Sequence, residues 1–513
     1  MRGKSWTTWE SGWLLLGALA ALPASTGARG LDVPLVFAQE ALEQDECGGR
    51  IAAMQADGRV TVLTEGFCAA ADPCVSFDGR RLLFAAKLRP GESWEIWEMG
   101  TDGSHKRRLT SDQGHCREPI YLARAAVDAP NFRDQVRWIS FTSTAPGVFD
   151  DRGRGALTSL YAMSLTPVPG RDTVLWRTTY NLGGDVAPAV LADGRVLFSA
   201  WQRDGWALMT ISWSGENLNP LYGSHDGPLS QLEACELPEQ RRVVFIESEG
   251  EAGDRSGRLA QVSFRRPLHS HQVLSRDGGS YRTPAGLPDG RLVVAHAPTA
   301  GTYGIYLFDE KKGQPGRRVF DASDWHDVDP QPVVARPEPI GRIPTVEFAS
   351  VLDVGGFGKA GQLQCLNVYE SDRPEAARIR PGQVKKVRLV EGLPVPLGHA
   401  GRLAGMRGQS GAGAWPPPFV QTRSLGEATV EADGSFYVNV AGDVPFYVET
   451  LDESGQVLMA MRTWIWVRSG DQRGCVGCHE NRELGPENRA TQALVKARPA
   501  MLMGSRKEGD KPH

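Results

Sequence analysis

Apolar and polar positions between residues 47 and 335 recur in one short cadence. Phe77-Asp78-Gly79-Arg80-Arg81-Leu82-Leu83-Phe84-Ala85-Ala86 shows it most clearly: a polar turn pair, then an unbroken apolar run. Asp193-Gly194-Arg195-Val196-Leu197-Phe198 and Asp289-Gly290-Arg291-Leu292-Val293-Val294 repeat it, with looser copies at 135–143 and 240–247 and a partial one at 57–63. The copies stand about 45–60 residues apart, the period of a four-stranded propeller blade. Asp-Gly supplies the positive φ angles of a tight hairpin. The apolar run after it reads as an inner strand buried on both faces. An alternating strand follows, as in Trp94-Glu95-Ile96-Trp97-Glu98-Met99, and Asp102-Gly103 turns the chain again. Asp324 to Val333 reads as the end of the last blade, and the tryptophans scattered through this region read as blade packing.

Arg336-Pro337-Glu338-Pro339 breaks the cadence and marks a boundary. Beyond it, 336–474 shows short alternating segments at 363–369, 384–390, 428–431, 436–440, 446–451 and 457–467, which predict a small antiparallel sandwich. The Gly- and Pro-rich stretch 398–418 interrupts them and reads as a functional or mobile loop. At the other end, Arg2 and Lys4 precede an apolar run at 12–22 and then small residues. That is the layout of a secretory signal peptide over 1–28, with cleavage after Ala24 or Ala28 and a more distant option after Ala38. The apolar run is shorter than the ~20 residues of a spanning helix, so no membrane span is expected after cleavage. The polar tail 491–513 predicts disorder.

The fold class is therefore all-β. The composition agrees: 59 Gly, 34 Pro and 14 Trp accompany a 41% hydrophobic content, without long helical periodicity. A net charge of −4 gives no argument for a nucleic-acid partner. Cys47, Cys68, Cys74, Cys116, Cys235 and Cys365 permit up to three disulfides in an oxidising compartment, with Cys68 and Cys74 close enough in sequence for a local pair. Cys365 has no evident partner, and a buried apolar thiol is the competing description.

The chemistry concentrates in Cys475-Val476-Gly477-Cys478-His479. Cys-x-x-Cys-His is the attachment motif of c-type haem. Two thiols three positions apart reach the two vinyl groups of one porphyrin edge, and the histidine supplies an axial nitrogen. With 8 Cys and 10 His in 513 residues, chance gives this pattern roughly once in 400 chains. A redox dithiol, half of a zinc site and a disulfide loop are the competing readings. One covalent haem c is expected at Cys475 and Cys478 over a segment 475–490, with His479 as the proximal iron ligand. On the distal side stand Met459 and Met461, two apart on a strand, and His399 in the Gly-rich loop. An open distal position is the expectation preferred here. His105, His115, His225, His269 and His271 show no ligand spacing and read as surface or core residues.

Residues 77–84, 94–99, Gly103 and 108–110 resemble the PD40 repeat of TolB-like propellers, which implies about six blades. The larger arrangement of export signal, blades and the run from Asp433-Gly434-Ser435-Phe436 to Arg482 resembles the hydrazine synthase α subunit and its related exported cytochromes. The resemblance implies haem attachment at Cys475 and Cys478, with His479 as the motif histidine. That family continues into a further domain with a second haem, and this sequence carries one motif, so hydrazine chemistry is not expected of it. The functional expectation is a periplasmic or otherwise exported mono-haem cytochrome with a redox partner protein and the propeller as docking domain. Its rival is a propeller that binds a protein or glycan, with a structural or sensory haem. No nucleophile–base arrangement supports a hydrolase.

Overall fold

The computed structural model describes residues 31–502 apart from 44, 125–135, 168–172, 224–228, 251–254, 299–300, 340–359, 407–414, 480–484, 486–489 and 497. The signal-peptide expectation over 1–28 lies outside them. Among the described residues no helix is long and apolar enough to cross a membrane.

Six four-stranded sheets form the first unit. Their leading strands are Ala69–Val75, Cys116–Tyr121, Asp185–Val190, Leu229–Leu237, Ser280–Gly286 and Trp325–Pro332. These pack on one another in succession, and the last packs on the first, so they close a ring. This is a six-bladed propeller. The Asp-Gly pairs take the predicted positive φ, 71° at Gly79, 84° at Gly194 and 82° at Gly290. The apolar runs after them, Arg81–Lys87, Val196–Gln202 and Leu292–Ala297, are buried almost throughout. They are the second strand of each blade, however, because the strand before each turn lies nearer the axis. Three further expectations change. Asp57-Gly58 joins two outer strands of the first sheet. Trp325–Pro332 does not finish the last blade; it pairs with Leu35–Ala41 and closes the first sheet. That sheet therefore starts at Leu35, upstream of residue 47. Cleavage after Ala38 would cut it, since Val36, Phe37 and Ala38 are all 0% exposed within it.

Each leading strand carries one bulge, at a residue with positive φ: Asp72 (55°), Glu118 (53°), Ala187 (51°), Glu233 (49°), Thr283 (45°) and Asp329 (53°). Proline follows five of these six, which fits the unpaired position a bulge provides. At four of the six steps around the ring, one bulge residue's side chain accepts the next one's backbone N–H. Glu118 N donates to Asp72 Oδ2 (2.9 Å), Ala187 N to Glu118 Oε2 (2.9 Å), Thr283 N to Glu233 Oε2 (2.8 Å) and Asp329 N to Thr283 Oγ1 (2.9 Å). Arg117 neutralises Asp72 at 2.5 Å, Arg255 pairs with Glu118, and Arg282 pairs with Glu40 at 2.8 Å. Burial pushes the Asp72 carboxyl up, but Arg117 and the Glu118 N–H outweigh it and hold it below its usual range.

Residues 360–502 add two packed sheets. One is Phe436–Ala441, Ala360–Asn367 and Gln472–Gly477; the other is Val420–Thr429, Lys386–Pro394, Phe446–Leu451 and Val457–Ala460. Leu363, Val387, Leu389, Phe436, Val438 and Phe446 fill the space between them. The sandwich is not wholly antiparallel, because Gln472–Gly477 runs parallel to Ala360–Asn367. That strand contains Cys475, so the motif belongs to the sheet rather than to a segment appended after 474. The tail expectation also changes in part. Thr491 is fully buried, a short helix Gln492–Val495 packs on Phe436–Ala441, and Ala500 bridges to Val438.

One disulfide forms among the described residues, Cys47–Cys68, with a Cα separation of 4.4 Å. The expected Cys68–Cys74 pair does not form. Cys68 lies ahead of its strand and reaches back to the loop at Cys47, whereas Cys74 lies within the strand and packs between blades. Burial raises the thiols of Cys116 and Cys235 to about 12, as expected of inert core cysteines.

Candidate functional site

A cavity of about 850 Å³ opens where the sandwich meets the propeller. Its sandwich wall holds Cys475, Val476, Gly477, Cys478 and His479, with Leu363, Cys365, Phe436, Met459, Met461, Trp464 and Trp466. Its propeller wall holds Asn181, Met209, Leu218, Pro220, Leu268 and His269. The volume falls within the range of about 300–1,000 Å³ usual for cofactor and ligand sites.

Local packing explains how the motif is presented. Gly477 has to be glycine: a Cβ there would collide with the carbonyl of Glu370. The strand ends at Gly477, and His479 follows in the left-handed region with φ of 70°. Its Nδ1 lies 2.6 Å from Asp372 Oδ1 and its Nε2 lies 2.8 Å from Arg373 Nη2. A guanidinium only donates, so Nε2 is the acceptor and Nδ1–H donates to the carboxylate. An iron-ligating histidine has the same tautomer, with its second N–H held by a carboxylate. Arg373 would have to leave Nε2 for that bond to form.

The walls are held by contacts between the two units. Trp464 Nε1–H donates to Asp151 Oδ2 (3.1 Å), and Arg468 Nη1–H donates to the carbonyl of Arg177 (2.8 Å). Trp466 packs into the propeller cluster of Trp138 and Trp213. Trp415, Tyr447 and Trp464 form a second aromatic group, with centroids 5.0–5.7 Å apart. The scattered tryptophans therefore pack not only within blades but also across the boundary.

Two buried acids lie behind the cavity. Burial raises Asp151 to about 6, against the opposing charge of Arg152. Burial raises Asp185 to about 7, despite hydrogen bonds from Thr179 and Asn181. Each has one oxygen without a hydrogen-bond partner, Asp151 Oδ1 and Asp185 Oδ2, which suits a protonated carboxyl. Both folded pKa values exceed the unfolded one. Their contribution to stability is full below the unfolded value of 3.8 and is lost as pH rises through about 6 to 7. Asp185→Asn cannot titrate. Its melting temperature should fall less than the wild type's between about pH 5 and about pH 8, by a margin on the order of a few kcal/mol in stability. Parallel pH dependence in the two proteins would refute the assignment.

The structure brings Cys475, Cys478, His479, Met459 and Met461 to one cavity; Met461 lies just beyond the strand Val457–Ala460. His399 does not line it and ends a short turn of helix at Leu397–His399. His269, which shows no ligand spacing in the sequence, does line it. Its signal is tertiary: the helical turn Pro267–His269 packs beside the strand Asn219–Tyr222 at the outer edge of the sheet led by Asp185–Val190. His271 instead meets Glu247 at 3.0 Å, His115 accepts from the Trp94 N–H, and His225 lies outside the described residues. No cluster of three or more His, Cys, Asp or Glu suited to a metal ion occurs among the described residues.

Residues 382–480 match the model of the hydrazine synthase alpha subunit middle domain, and the match ends just past His479. Hydrazine synthase subunit alpha of Kuenenia stuttgartiensis is 28% identical over 495 residues, covering 82% of this chain. The chain spans 61% of that relative's length. The solved Kuenenia stuttgartiensis hydrazine synthase superposes with a TM-score of 0.79 at 24% identity, over 93% of this chain and 71% of that one. TolB from Acinetobacter baumannii aligns over 59% of this chain and 67% of its own with a TM-score of 0.42. The resemblance drawn from the motifs and blades is thus borne out: the chain is similar to hydrazine synthase subunit alpha.

Proposed function

We propose that this hydrazine synthase alpha-like chain is an exported redox protein carrying one covalent haem c in the cavity between propeller and sandwich. The supporting observation is the convergence of Cys475, Cys478 and His479 on one largely apolar cavity of about 850 Å³. The residues fit the group. Both motif thiols line the cavity, and Leu363, Phe436, Trp464 and Trp466 offer apolar walls. Arg373, Arg462 and Arg473 line the same cavity and suit the haem's carboxylates. Asp372 holds His479 with Nε2 unprotonated, and Asp151 pins the Trp464 wall. When bound, haem supplies one-electron transfer or small-ligand chemistry at an open coordination position. Met459 and Met461 remain distal candidates, since both line the cavity, and His399 does not. The preferred reading is an open distal side.

The relative's name makes it one subunit of an assembly, and a protein partner is proposed for this chain on that ground. The exported chain, made in a host that matures c-type cytochromes, should stain for haem after denaturing electrophoresis. Cys478→Ser should abolish the stain. The reduced protein should shift its spectrum rapidly on adding carbon monoxide. A wild-type chain that never stains overturns haem attachment, and a stained chain without the shift overturns the open distal side.

A further inference from the structure

Cys365 is 3% exposed in the strand Ala360–Asn367 and lies directly opposite Cys475 in the parallel ladder with Gln472–Gly477. Directly opposed residues of a sheet point to the same face. Here that face is the sandwich core, where Cys475 packs against the cluster containing Cys365. Both thiols also line the cavity with Cys478 and His479. Neighbouring strands lie about 4.7–4.9 Å apart, inside the Cα separation of about 4.4–6.8 Å that a disulfide spans. All three cysteines are thiols in this structure.

We propose that Cys365 and Cys475 form a reversible disulfide that withholds Cys475 from haem until it is reduced. This rests on the haem reading above. In bridge formation each thiol loses a proton and one electron, and the electron pair passes to the disulfide of an oxidising dithiol protein, which leaves as the dithiol. Reduction reverses the exchange, with a reduced dithiol protein as donor. Haem attachment then adds the Cys475 S–H across a vinyl double bond, with no net electron transfer. The bridge and the thioether compete for one sulfur atom, so an oxidising compartment alone would block loading.

The test uses the full exported chain made without cytochrome maturation factors. Thiols are blocked at low pH, the unreduced protein is digested, and linked peptides are identified by mass spectrometry. The expected result is a Cys365–Cys475 peptide pair. Cys365 found blocked as a thiol, with Cys475 bridged to Cys478 or itself blocked, overturns the proposal. In a maturation-competent host lacking its exported dithiol reductant, wild-type haem stain should drop at least about five-fold while Cys365→Ser and Cys365→Ala keep theirs. A wild-type chain that takes haem although no Cys365–Cys475 bridge forms before loading overturns this proposal alone. A bridged chain that never takes haem, reduced or not, overturns the haem reading and the gate that depends on it.

Discussion

A chain beginning at Cys47 should fail to melt cooperatively, whereas one beginning at Leu31 should do so. The strand Leu35–Ala41 pairs on one side with Gly49–Met54 and on the other with Trp325–Pro332, so it joins the two ends of the ring. Leu35, Val36 and Phe37 are each 0% exposed. Burying three such side chains contributes about 1.5–3 kcal/mol apiece. Their sum approaches the whole stability of an ordinary domain, about 5–15 kcal/mol. Removal also strips hydrogen-bonding partners from two further strands. Circular dichroism melts and limited proteolysis of the two chains decide it. A sharp, unshifted transition in the shorter chain would show that the ring closes without this strand.

The second large effect is expected at Glu118. Its carboxylate accepts from the Ala187 N–H (2.9 Å) and the Thr142 hydroxyl (3.1 Å) and pairs with Arg255. Glu118→Ala leaves those donors unmatched beside the propeller axis. Because the Arg255 side chain is 35% exposed, water relieves part of the penalty. The expected loss is on the order of 3 kcal/mol, read as an earlier denaturation midpoint. Glu118→Gln keeps an acceptor oxygen for Ala187 and should cost less. If Ala and Gln destabilise equally, the charge matters and the ring of bulges does not.

The bulge ring also has a signal in the sequence. Pro73 stands five residues before Asp78, as Pro188 does before Asp193 and Pro284 before Asp289. That offset marks the innermost strand as plainly as Asp-Gly marks the turn after it. It is a weaker pattern than the apolar run beside it, because burial on both faces marks every position of a strand and a bulge marks only one. Similarly, 491–502 reads as polar tail, yet Ala493 and Thr491 are buried by docking on the sandwich.

Local pattern alone determined the all-β class, the blade repeat, the hairpins at Asp-Gly and the haem-type motif, because turn conformation, strand alternation and thiol spacing are properties of neighbouring residues. Tertiary structure decided what depends on residues far apart in sequence. It joined Leu35–Ala41 to Trp325–Pro332, chose Cys47 as the partner of Cys68, set Cys365 opposite Cys475 and brought His269 to a cavity that His399 does not reach. Those pairings follow from ring closure and sheet register, which are fixed only when the whole chain packs and buries its apolar faces together.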